Sequence, residues 1–507
     1  MGRRDRLLPL IALALMALAA LTCNRSAEGE PTLAPTDTPS VASDDSTVKP
    51  FEPTVAASAT PTVVPSLTPT ATPTPTATPL PVVLIERAEE ELNNGNYAAA
   101  QAVYEELPVE RLDASESAQT RIGLAKSLLE EKDFAGAVDV LRDFLAEHPS
   151  APFTVEARFL LAEALMGAGE YLDAAEEYRA YLDERDVLAS YIQMWIGDAY
   201  TQAELYDEAV DAYELALTTA ATQGLILQIR EKMALALGFS GDPEAAVLLY
   251  DAILAAAEGG NLKARIQYQA AQTQLAAGER EAAYERLYDV VANYYKTGAA
   301  YSALVDLINS NQPVDEFQRG LVDYYNDAPD AAIAAFYRAI EADPDGHVGA
   351  PHYFAGLAYR DADSYAAALN EFDKLINTHP GDPYEDDGWL AKAWTQFLAG
   401  DRESALATYD EFVAENPFNG LAPEALWWAA NINFWDDDCA GAQPLFSQLA
   451  ADYPTNEYAA DALYRAAFCN YQMENGEAAS NAWHSYAELY PAAELVAGSH
   501  FWRGRIY

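Results

Sequence analysis

Six histidines, His148, His347, His352, His379, His484 and His500, carry the side chain best suited to proton transfer or to holding a transition metal. They are scattered along the chain, and none stands in a His-Glu-x-x-His pattern, the spacing that puts two imidazoles on one helix face. Asp343, Asp345 and Gly346 resemble the start of a calcium loop, but the spaced later ligands are missing and the run reads as a turn. Asp436, Asp437 and Asp438 read as a helix N-terminus, where carboxylates meet the positive end of the helix dipole. The sequence therefore predicts no catalytic residue, no metal site and no cofactor. What remains are three cysteines, Cys23, Cys439 and Cys469, and a crowd of aromatic rings near the C-terminus, where seven of the eight tryptophans follow residue 388.

The elements that position these residues follow from a period. An alanine followed four positions on by a bulky residue recurs at Ala100, Ala137, Ala174, Ala209, Ala246, Ala283, Ala332, Ala368, Ala405, Ala442 and Ala479. The intervals are 35–37 residues, apart from one of 49 between Ala283 and Ala332. Such a period predicts a solenoid, because one helix pair cannot bury its apolar face alone and stacked neighbours complete the core. Small residues at Gly197, Gly320, Gly356 and Gly504, and at Ala125, Ala162 and Ala393, let helix backbones cross closely. Gly95-Asn96, Gly169-Glu170, Gly241-Asp242 and Gly400-Asp401 are stop and start signals between helices, and Pro149, Pro344, Pro380, Pro417, Pro454 and Pro491 end the second ones.

Residue by residue this pattern resembles the tetratricopeptide repeat, from Val82 to Tyr507. The resemblance implies an all-α, tetratricopeptide-type α-solenoid of about eleven helix-pair repeats, a fold that hosts many binding roles. Six repeats fill 82–297 and five more fill 315–507. Between them, 298–314 carries Tyr301, Leu304 and Leu307 on one helical face and is expected to add a short helix or mark a bend. His500, Gly504 and Tyr507 fall at the first-helix positions of an incomplete twelfth repeat, so the spacing predicts that the natural chain continues.

The net charge of -49 argues against a basic face for nucleic acid or for an anionic membrane surface. Arg3, Arg4 and Arg6 precede an apolar run from Leu7 to Leu21, an export signal too short for a comfortable membrane span. Cys23 follows at once, and its placement resembles a bacterial lipoprotein signal spanning 1–23, which implies that Cys23 is the lipidated first residue of the mature chain. That family prefers leucine three positions before the cysteine and a small residue immediately before it, whereas Ala20, Leu21 and Thr22 stand here. An ordinary cleaved signal and an uncleaved anchor are the alternatives, and all three put the rest of the chain outside the cytoplasm. Residues 24–81 are Thr, Pro, Ala and Ser with the single aromatic Phe51, the composition of a disordered tether.

In the tetratricopeptide arrangement the first helices line the concave face. The phase puts Tyr353, Trp394, Phe397, Trp427, Trp435, Tyr464 and Tyr471 at positions facing it, where rings stack on sugars or grip an extended peptide, with packing inside the stack as the alternative. Trp389 and Trp483 match core positions. The same phase starts a second helix at Cys439 and puts Cys469 late in the next first helix, at one edge of the solenoid, either as a disulfide or as two buried thiols. The runs Ala422 to Ala430 and Ala459 to Ala466 resemble the helical superhelix of soluble lytic murein transglycosylases. That resemblance implies a following lysozyme-like domain with a catalytic glutamate in a Glu-Ser pair and a Gly-Leu-Met-Gln motif. Glu116-Ser117 and Glu403-Ser404 lack the motif and lie in or beside repeat helices, so neither is a general acid. The expected function is a non-catalytic scaffold of the bacterial cell envelope that binds envelope proteins or peptidoglycan glycan, as the front of a longer transglycosylase-like protein. The alternative is a stand-alone lipoprotein, similar to the outer-membrane assembly and cell-division-coordinating lipoproteins that carry such repeats.

Overall fold

All eleven phase-mark alanines, from Ala100 to Ala479, are fully buried, and so are the bulky residues four positions after them, Tyr104, Leu141, Tyr178, Tyr213, Tyr250, Leu287, Phe336, Phe372, Tyr409, Phe446 and Trp483. A computed structural model describes residues 81–107, 112–149, 153–342 and 349–506, all within one unit, Ala77–Tyr507. Cys23 with its signal, the tether up to Leu80, and Asp343, Asp345 and Gly346 lie outside the described residues.

Among the described residues there are 24 helices and no strand. Six pairs come first: α1 (Pro81–Asn93) with α2 (Tyr97–Glu105), α3 (Ala114–Glu130) with α4 (Phe134–Glu147), and α5 (Thr154–Ala168) with α6 (Tyr171–Glu184). They continue as α7 (Ala189–Gln202) with α8 (Tyr206–Thr219), α9 (Gln223–Ser240) with α10 (Pro243–Ala256), and α11 (Gly260–Ala277) with α12 (Arg280–Asn293). The long interval holds the unpaired α13 (Gly298–Asn309), which packs on α11 and α12 and buries Leu304 and Leu307 while Tyr301 faces solvent. Five more pairs follow: α14 (Glu316–Tyr325) with α15 (Pro329–Ala342), α16 (Ala350–Asp361) with α17 (Tyr365–Thr378), α18 (Glu385–Leu398) with α19 (Arg402–Glu415), α20 (Ala422–Trp435) with α21 (Cys439–Asp452), and α22 (Ala459–Gln472) with α23 (Gly476–Leu489). The last helix, α24 (Val496–Ile506), packs on α23.

Every turn from a first to a second helix passes through one left-handed residue. It is glycine at Gly95, Gly169, Gly241, Gly278 and Gly400, and Lys132, Glu204, Asp327, Asp363, Asp437 or Glu474 elsewhere. That conformation lets the following N–H groups reach back to the helix-end carbonyls, as Glu170 N–H does to Leu165 O at 2.9 Å and Leu205 N–H to Tyr200 O at 2.9 Å. Where the sequence spends a non-glycine residue there, the hydrogen bonds of the turn override the local preference.

The crossing of each pair is set by size. A methyl group added at Gly197, Gly320 or Gly356 would stand 2.4, 2.4 and 2.5 Å from the rings of Tyr213, Phe336 and Phe372, so a side chain at these positions would collide with the buried ring of the second helix. Between pairs, tyrosine hydroxyls donate to the carbonyl of the proline one repeat earlier: Tyr453 to Pro417 O at 2.6 Å and Tyr490 to Pro454 O at 2.9 Å. The stack is thus a chain of nearest-neighbour contacts.

Candidate functional site

First helices α18 and α20 lie side by side in successive repeats, and seven positions separate Trp394 from Asp387 on α18 and Trp435 from Trp428 on α20, so each pair shares a helix face. The rings meet across the two helices. Trp394 is 5.2 Å from Phe397, 5.2 Å from Trp428 and 6.4 Å from Trp435 by ring centroids, and Phe397 and Trp428 lie 6.0 and 6.3 Å from Trp435. Four rings therefore form one box at the ends of two helices. Trp435 stays 51% exposed and the adjoining Leu398 40% exposed, so packing leaves apolar area uncovered.

The other sequence candidates lie differently. Trp427 turns away from the box, stacks on Tyr458 at 5.2 Å, packs on Phe446 and carries the Arg465 guanidinium 4.7 Å above its ring. Trp428, which the repeat phase does not mark, takes the place in the box. Tyr464 packs on Trp483 and Tyr486, and Tyr471 on Trp483 and Trp502, so both close the joint between the last repeats. Tyr353 stacks on Tyr384 at 5.0 Å and belongs to a separate aromatic row, through Phe354, Tyr324 and Tyr325, that ends where Lys296 sits 4.8 Å above the Tyr325 ring. Trp483 is fully buried, and Trp389 is half-buried against Phe412.

The box has an acidic flank. Trp428 Nε1 donates to Glu424 Oε1 at 3.1 Å, and Asp387 lies beside both Asp386 and Glu424. Burial first, then the repulsion of those two carboxylates, raises the Asp387 carboxyl above its ordinary range. Asn419 Nδ2 donates to Asp386 Oδ2 at 2.6 Å, which leaves the net charge of the flank negative. A ring box beside carboxylates suits an apolar or aromatic side chain next to a cation.

Among the described residues, the acidic ones that the sequence singled out, and the one buried glutamate, serve the helices that carry them or stand in solvent. Glu116 Oε2 accepts from the Asp113 N–H at 3.0 Å and closes the capping box of α3, and Glu403 is exposed in the first turn of α19. Asp438 caps α21, accepting from Gly441 N–H at 2.9 Å, and that hydrogen bond together with Arg402 lowers its pKa. Glu371 is the one buried glutamate among the described residues, 0% exposed on α17. It accepts from His352 Nδ1 at 2.7 Å, Lys374 Nζ at 2.7 Å and Tyr337 Oη at 2.8 Å. Burial pushes its carboxyl up, but these donors outweigh burial and bring it down to about 2, the reverse of what a general acid needs. No group of three or more His, Cys, Asp or Glu among the described residues is placed to hold a metal ion, and no described helix is long and apolar enough to cross a membrane.

Cys439 opens α21 and Cys469 sits in the last turn of α22, and the antiparallel packing of these helices places the two free cysteines at the same end of the pair, close enough for each thiol to act on the other electrostatically.

The periodic crossing, the left-handed turn and the buried alanine–ring pair agree with a direct match: residues 85–152, 122–189 and 159–224 each fit the tetratricopeptide repeat family model. The chain is a tetratricopeptide-type α-solenoid. Tetratricopeptide repeats are scaffolds suited to binding proteins. Among solved structures, MamA AMB-1 is 16% identical over 34% of this chain and 95% of its own, with a TM-score of 0.29. The structure of Naa15/Naa10 bound to HypK-THB is 13% identical over 84% of this chain and 66% of its own, with a TM-score of 0.31. No curated protein matches the chain.

Proposed function

We propose that this solenoid is an exported, lipid-anchored scaffold that holds a partner protein on the first-helix face of α18 and α20. The observation that carries the reading is the four-ring box of Trp394, Phe397, Trp428 and Trp435, half-open to solvent beside Asp387 and Glu424. Aromatic rings of this kind dominate protein interfaces because they bury large area at low cost in side-chain entropy. The carboxylate flank favours an extended segment in which a basic residue neighbours an apolar one. The likeness of Ala422 to Ala430 to the soluble lytic transglycosylase superhelix makes peptidoglycan the competing ligand, since indole faces also stack on sugars.

A photo-crosslinking residue at Leu398, beside the box, tests the site in native cells. Protein adducts are expected, and the double substitution Trp394→Ala with Trp435→Ala is expected to cut their yield at least about tenfold, since central aromatic contacts are commonly worth 2 kcal/mol or more. Adducts to isolated sacculi instead of protein, lost in the same variant, would replace the protein reading with a glycan one; unchanged adducts would remove the site.

The anchoring rests on the basic start, the apolar run and the placement of Cys23. Cys23→Ser is expected to move the chain from the membrane to the soluble fraction and to abolish fatty-acid labelling. Labelling that persists would remove the anchor.

A further inference from the structure

Cys439 and Cys469 are the only cysteines in the solenoid, and the fold sets them at the one junction where the start of a second helix meets the end of the next first helix with a thiol on each side. Their environments differ. Cys469 is fully buried in the core shared by α18 to α22, with no exposed surface. Cys439 is only partly buried and lines a surface cleft with Phe434, Asp438, Phe468, Gln472 and Met473. One thiol is open to an incoming reagent and the other is enclosed in the core. That asymmetry is the arrangement of an attacking and a resolving cysteine.

We propose that Cys439 and Cys469 are a redox-active pair that closes, with Cys439 as the entry thiol, into a disulfide joining α21 to α22. The oxidant is an external disulfide, a low-molecular-weight one or that of a protein carrier. Cys439 loses its proton and attacks one sulfur of that disulfide; its S–S bond breaks, and the other sulfur leaves as a thiolate that takes up the proton. Cys469 then gives up its proton and attacks Cys439 Sγ, displacing the second external thiol. Two Cys S–H bonds and one external S–S bond are exchanged for one internal S–S bond and two external thiols, and the pair is oxidised by two electrons.

The position gives the bond a consequence. Apart from the connecting loop at one end, neighbouring repeats in a solenoid are held by non-covalent contacts, so an interface can open at its other end. A Cys439–Cys469 bond would close that route between the last two complete repeats, directly after the helix that carries Trp428 and Trp435. Burial first, then the neighbouring Cys439 thiol and Asp438, hold Cys469 protonated, and Arg465, one turn earlier, opposes them; modifying Cys439 removes its thiol from that set and leaves Arg465 to favour the resolving thiolate. The inference does not depend on what the ring box binds.

The test uses the full chain, reduced and then exposed to oxidised glutathione. Alkylation under denaturing conditions and peptide mapping are expected to find Cys439 and Cys469 both blocked, their peptides joined, and the intact mass lower by two hydrogens. Thermal unfolding should shift upward by a few degrees and return on adding dithiothreitol. Cys469→Ser should trap one glutathione on Cys439, whereas Cys439→Ser should leave Cys469 unmodified in the folded protein. Glutathione retained on Cys439 in the unsubstituted chain, or both thiols still free after oxidation, would overturn the proposal.

Discussion

Replacing Glu371 with glutamine is expected to destabilise the solenoid by about 3 kcal/mol at neutral pH, and the loss is expected to shrink as the pH falls below 5. The magnitude follows from the carboxyl itself: its pKa drops from the ordinary 4.5 to about 2, and each unit is worth about 1.4 kcal/mol of preference for the charged form in the folded state. The sign follows from the direction. A carboxyl with a lowered folded pKa contributes its full stability above the unfolded value of 4.5 and loses it progressively between 4.5 and about 2. Because many other carboxylates titrate in the same window, the readable quantity is the difference between the parent and the variant in urea unfolding at each pH. Three helices converge on this anion, Tyr337 from α15, His352 from α16 and Lys374 from its own α17. Hydrogen exchange should therefore rise in α15 to α17 and not in distant repeats, as expected for a stack with nearest-neighbour coupling. A difference that stayed constant from pH 7 to pH 2.5 would mean that the amide replaces the carboxylate's hydrogen bonds and that charge plays no part.

Glu371 also marks where reading the sequence stops. The repeat was legible because it depends on residue size at fixed spacing: a buried alanine, a bulky residue four positions on, and a left-handed turn between the helices. A glutamate on an amphipathic helix ordinarily reads as a solvated face, and only the donors arriving from α15 and α16 show it enclosed. The ring box shows a second limit. Trp427 and Trp428 are consecutive and point about 100° apart on the helix, so a modest rotation of α20 decides which of them reaches Trp394. Period alone does not fix that rotation, whereas the stacking of Trp427 on Tyr458 from the next repeat does. For the cysteines the phase placed both residues at one edge, and the structure adds the packing of their two helices and the difference in burial.

The lock between Gly356 and Phe372 makes the sharpest claim about how the solenoid is held. Phe372→Ala is expected to cost about 3–5 kcal/mol, since it empties a fully buried ring site. Gly356→Ala alone is expected to cost about 1–3 kcal/mol by overpacking, because its methyl group would lie 2.5 Å from Phe372 Cε1 and the ring is confined by Tyr353 and the buried α16. Helix propensity pulls the other way, as alanine is about 1 kcal/mol better than glycine inside a helix. Combining the two changes therefore reverses a sign. Once Phe372 is alanine the methyl group has room, and adding Gly356→Ala should recover up to about 1 kcal/mol in urea unfolding. Gly504 is the control, occupying the same repeat position on α24 with nothing within 4 Å of an added methyl group, so Gly504→Ala should be neutral or stabilising in the unsubstituted chain. If Gly356→Ala cost the same with and without the Phe372 ring, the collision would not be what demands glycine there. The requirement would then lie in the backbone of α16.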